Sequence, residues 1–80
     1  MLEGNMKIKD SYERTQVSAG YHNVEKCLFE TRSRVSGAIS RTNFGNSASQ
    51  ELQEAHRTFK EVEHLLYEAT RKLRDIEDMI

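Results

Sequence analysis

An all-α antiparallel hairpin of two long helices is the fold class predicted for this 80-residue chain, and three observations lead to it. In the second half, Ala48, Leu52, Ala55, Phe59, Val62, Leu66, Ala69, Leu73, Ile76 and Ile80 recur in steps that alternate four and three without a break. That is a heptad repeat with both seam positions filled, the pattern of a helix packed lengthwise on another helix. Val17, Tyr21, Val24, Leu28, Thr31, Val35 and Ala38 repeat the same alternation in the first half. Between the two stripes, Arg41–Ser47 is the only strong break, and no Pro interrupts either one.

Taken in order, residues 1–9 read as irregular. Met6-Lys7-Ile8-Lys9 fits a native start with Met1–Asn5 left over from a vector, and a start at Met1 fits equally. Asp10 with Glu13 three residues on reads as an N-cap and its reciprocal partner, so the first helix is expected over 10–41. That segment is rich in Ser, Thr and Gly, each of which lowers intrinsic helicity by up to ~1 kcal/mol. Gly20 and Gly37 fall off the seam, so the stripe survives, and the helix should depend on packing more than on propensity.

Residues 42–46 are the expected turn. Phe44-Gly45 lies in it, and Gly45 with Asn43 and Asn46 suits the left-handed backbone that stops a helix and reverses the chain. Ser47 with Gln50 reads as a capping box, placing the second helix over 47–80. Two helices of this size, each ~45–50 Å long at ~1.5 Å per residue, joined by a short loop, must run antiparallel. Charge favours the pairing modestly. Residues 1–46 carry seven Lys/Arg and five Asp/Glu, and residues 47–80 carry five and eight.

Apolar residues also flank the seam. Cys27, Leu65 and Met79 share one heptad flank (g), Ile39 lies on the other (e), and Phe29 and Tyr67 lie further round (b). A two-helix hairpin cannot cover seam and flanks by itself. It is therefore expected to complete a helical bundle, with a second copy or with a different protein.

Composition narrows the function. One small domain is all this length allows, and such domains often need a partner, a metal or disulfides. A single cysteine, Cys27, excludes an internal disulfide, and no Cys/His cluster suggests zinc. The net charge of −1 offers no pull toward nucleic acid or anionic lipid. Mean hydropathy is −0.78, and no run is long and apolar enough to insert into a membrane. Residues 1–9 lack an apolar signal-peptide core.

Chemistry-bearing residues are few. His56 and His64 are eight residues apart, beyond the i, i+4 spacing of a helical metal pair, and His22 is on the other helix; all three read as solvated or flanking. Cys27 sits mid-helix, far from any helix N-terminus that would lower its pKa, and reads as a partly buried small side chain. Glu51, Glu54, Glu61, Glu63 and Glu68 have no pocket to desolvate them and read as a solvated face. No catalytic, cofactor-binding or metal-ligating residue is expected, and no enzyme activity.

Phe44-Gly45 in the turn, together with Phe59 and Glu63 on the second helix, carries a family resemblance. The chain resembles the WXG-type small proteins of type VII secretion systems. It resembles more closely the small helical partners encoded beside LXG-domain toxins in Gram-positive bacteria. Members often begin with a Lys/Ile-rich stretch like Met6-Lys7-Ile8-Lys9 and carry Phe followed four residues later by an acid, as Phe59 and Glu63 do. This chain has no Trp, lacks the residue between Phe44 and Gly45, and has Arg71 four positions after Tyr67 where the family's Tyr-to-acid signal has an acid. The resemblance implies a non-enzymatic binding partner, a targeting factor or chaperone, of the N-terminal region of an LXG-type effector. It implies a cytoplasmic protein before export, secreted if at all without a cleaved signal. Phe59 and Glu63 would then form a recognition motif, and Cys27, Ile39, Leu65 and Met79 would face the partner. The different class kept beside it is a structural coiled-coil homodimerisation module, or a fragment of a larger scaffold, since Ile80 stops on a seam position.

Overall fold

In the computed structural model, which describes residues 7–80, two helices run antiparallel: α1 (Ser11–Arg41) and α2 (Gln50–Glu77). No strand occurs among the described residues. The question of a native or vector origin for residues 1–5 lies outside them. Asp10 opens α1 from extended backbone, its Oδ1 accepting the Glu13 N–H at 2.9 Å. That satisfies one of the first-turn donors that has no partner inside the helix.

At its far end α1 is closed by Thr42. The Thr42 N–H reaches the carbonyls of Ala38 and Ile39, and its hydroxyl donates to Ala38 O at 2.8 Å. Gly45, at φ 63°, then takes the left-handed conformation and begins a single 3-10 turn, Gly45–Ser47. The second helix starts later than the capping-box reading places it. Ser47 belongs to the 3-10 turn, where its hydroxyl donates to Phe44 O at 2.9 Å. Ser49 is the cap instead, its Oγ accepting the Leu52 N–H at 3.1 Å. Both serines offer the same cap chemistry, and the 3-10 turn after Gly45 moves the start to the second. At the other end α2 stops at Glu77 rather than reaching Ile80, and Met79 N–H turns back to Ile76 O at 2.8 Å.

The open end of the hairpin is tied by the segment before α1. Ile8 N–H donates to Met79 O at 2.8 Å, and Arg14 Nη1 donates to Ile8 O at 3.2 Å. Extents of 57 × 25 × 13 Å and a radius of gyration of 17.9 Å describe a rod. A compact chain of this length would have a radius near ~12 Å. The accessible surface is 6421 Å², about 1400 Å² more than the ~5000 Å² usual for a compact protein of this mass.

Candidate partner-docking edge

With the heptads numbered so that Leu28 and Leu66 are a, the a row holds Arg14, Tyr21, Leu28 and Val35 on α1, Thr42 just after it, and Leu52, Phe59, Leu66 and Leu73 on α2. All but the exposed Arg14 near the start of α1 are buried or half-buried. The d row behaves differently. Val17, Thr31, Ala38, Val62 and Ile76 are half-buried, but Val24, Ala55 and Ala69 are exposed. In their place Ser18, Arg32 and Ile39 of α1, and His56 and Thr70 of α2, all at e, are half-buried. Each helix is thus rolled toward its e flank relative to the symmetric seam that the sequence suggests.

In an antiparallel pair like flanks meet, so the e rows share one edge of the hairpin and the g rows share the other. Polar bonds occupy the e edge. Thr42 Oγ and His56 Nδ1 are 2.9 Å apart. The Thr42 hydroxyl also lies within hydrogen-bonding distance of the Ala38 and Ile39 carbonyls, and which partner donates in the Thr42–His56 bond follows the His56 tautomer. Arg32 lies with its guanidinium carbon 6.0 Å from the centre of the Tyr67 ring, a cation–π contact across the seam. These two contacts carry no signal in the apolar pattern; only the e placement of Arg32 and His56 could have hinted at them.

Among the described residues nothing comparable covers the g edge. Cys27 is not partly buried as its place beside the stripe suggests but an exposed free cysteine, because both helices roll away from g; Leu65 is 65% exposed and Val24 is 47% exposed. Every g residue inside either helix is exposed: Glu13, Gly20, Cys27, Arg34 and Arg41 on α1, and Glu51, Thr58, Leu65 and Lys72 on α2. The exposed d residues Val24, Ala55 and Ala69 adjoin this row. The outcome is an open edge on which Val24, Cys27, Ala55, Leu65 and Ala69 are interspersed with the charged Glu13, Arg34, Arg41, Glu51 and Lys72.

The residues expected to act together are therefore divided. Cys27 and Leu65 lie on the open g edge, and Met79 is half-buried beyond the end of α2 with its carbonyl bound by Ile8. Ile39 is half-buried at e. Phe59 is half-buried in the seam, whereas Glu63 is exposed on the e side. There Glu63 lines an open groove of ≈ 570 Å³ with Phe29, Arg32, Ser33, His64 and Tyr67. Phe44, in the turn, is 58% exposed.

Electrostatics add one internal site. Among the described residues Tyr21 alone is nearly fully buried, at 5% exposure. Its hydroxyl donates toward Glu25 Oε2 at 3.5 Å, and its ring meets His22 edge-on at 5.2 Å between centroids. Burial, and then the carboxylates of Glu77 and Glu25, push the Tyr21 phenol above its ordinary value. On the outer face of α2 the carboxylates form short-range pairs, Arg57 with Glu54, Arg71 with Glu68 at 3.5 Å and Lys72 with Asp75 at 3.2 Å, all solvent-exposed.

Among the described residues no group of three or more His, Cys, Asp or Glu is placed to hold a metal ion, and no helix is long and apolar enough to cross a membrane. Compared with known proteins, the chain matches no family model, no curated protein and no solved structure.

Proposed function

We propose that this chain is a non-enzymatic helical binding partner whose open g edge docks along another helical protein to complete a bundle. The single observation that supports this is the roll of both helices toward e, which leaves Val24, Cys27, Ala55, Leu65 and Ala69 uncovered. The rod shape exposes long flanks, room enough for the ~800 Å² that one partner contributes to a standard interface. A helical rod with seam-adjacent apolar residues left uncovered on one edge fits a component of a larger bundle.

In its specific form, the partner is the N-terminal helical region of an LXG-type effector of a type VII secretion system. The chain acts on it as a targeting factor or chaperone in the cytoplasm before export. Support comes from the resemblance carried by Phe44-Gly45 and by Phe59 with Glu63, and from the exposure of Glu63 at the surface. Deleting the gene should abolish or sharply reduce effector export, measured in culture supernatants; unchanged export would refute the assignment. The exposed flanks also suit a homodimerising coiled-coil module. Light scattering separates the two: a tight homodimer of full helicity supports the module, and a chain that gains helicity or solubility only with its partner supports the effector reading.

A further inference from the structure

The bundle-completing reading, on which this inference rests, leaves the chemistry of the partner open; the charge pattern beside the edge supplies it. Glu54, Glu61, Glu68 and Asp75 recur at seven-residue steps on α2, all at c and all exposed. On a helix the c row adjoins the g row, so this acidic line runs beside Thr58, Leu65 and Lys72 along the open edge. We infer that the partner segment lying along α2 is an amphipathic helix whose apolar stripe meets Leu65 and Ala69 and whose flank is basic.

The cations now beside these acids do not preclude such a partner. Arg57, Arg71 and Lys72 are themselves 62%, 63% and 85% exposed, and pairs this solvated contribute little. A partner helix that desolvates the edge strengthens any new pair it forms there.

A second copy is the weaker occupant on the same grounds. Stacking α2 on α2 would bring two acidic rows together. Stacking α1 on α2 offers Arg34 and Arg41 at g, both in the turn-proximal half of α1. Those two cations are half the number of acids in the α2 row.

The test uses the full chain and two synthetic helices as long as α2, 28 residues. The two share one Leu/Ile seam; one is flanked by Lys and the other by Glu. Calorimetric titration at low salt should show the Lys-flanked helix binding about tenfold tighter or better, a preference that shrinks as salt rises. Glu61→Lys with Glu68→Lys should reverse the order, and Leu65→Asn, at an exposed position that leaves helicity intact by circular dichroism, should weaken both. Equal affinities that still depend on Leu65 would overturn the basic flank and leave the docking edge standing. Binding indifferent to Leu65→Asn would overturn the edge itself. Neither result depends on whether the natural partner is a secreted effector, which the export assay decides separately.

Discussion

The two edges of this hairpin are built from opposite kinds of side chain. Along the e edge, long or hydrogen-bonding residues reach across: Arg32 to Tyr67, and His56 to Thr42. Along the g edge, the residues nearest the seam are short or apolar, Cys27, Val24, Ala55, Leu65 and Ala69, and remain exposed. A self-sufficient hairpin would place the polar residues outside and the apolar ones between the helices. Here polar contacts help close the e side, while Val24, Cys27, Ala55, Leu65 and Ala69 face solvent among charged residues on the g side.

The sharpest way to break the contrast is to cut one large apolar side chain from each region. Phe59 is half-buried in the seam, and Phe59→Ala should cost roughly 2–3 kcal/mol, somewhat less than a fully buried Phe because part of the ring already meets water. Leu65 is 65% exposed, so Leu65→Ala should leave thermal unfolding within about 0.5 kcal/mol of the parent while weakening docking. Thermal melts followed by circular dichroism check both. A Leu65 variant that melts like the Phe59 variant would mean that the g edge is already covered, by self-association.

The core side chain Tyr21 gives a pH test of the same contrast. Its phenol is pushed up by burial and by Glu77 and Glu25. The neutral form is therefore favoured in the folded chain. Its contribution is whole below the ordinary phenol value of about 10 and is lost as pH rises through the raised folded value. Melting temperature should thus fall on the alkaline side, and Tyr21→Phe should flatten that fall. Tyr12→Phe, at a residue 72% exposed, should leave it unchanged. An alkaline limb identical in all three chains would remove Tyr21 from the account.

How much of this was legible in the residues differs by level. The alternation of four and three steps points to helices packed lengthwise, and the short break at Arg41–Ser47 between two such stripes points to an antiparallel hairpin. The start of α2 was less legible, since Ser47 and Ser49 carry equal capping chemistry and only the left-handed Gly45 and the turn after it select the second. The roll toward e was not legible at all. Hydrophobic period places Ala55 and Ala69 in the seam, but an alanine fills little space, and the reach of Arg32 and His56 outweighs it. That roll also explains why Phe59 and Glu63, four residues apart, end in different settings: one packs at a, the other faces solvent beside Tyr67.

The smallest expected effect isolates what holds the e edge shut near the turn. Thr42 and His56 form one hydrogen bond between partly buried groups, a contact worth about 0.5–1.5 kcal/mol. Thr42→Val removes the oxygen, yet it also removes the hydroxyl bond to Ala38 O that closes α1. His56→Ala removes only the partner on α2. The two losses therefore should not add: in a double-mutant cycle the coupling should be about 0.5–1 kcal/mol, with Thr42→Val costing more alone than His56→Ala. Zero coupling would mean that the bond does not hold the edge, and that the roll toward e comes from packing of the a row alone.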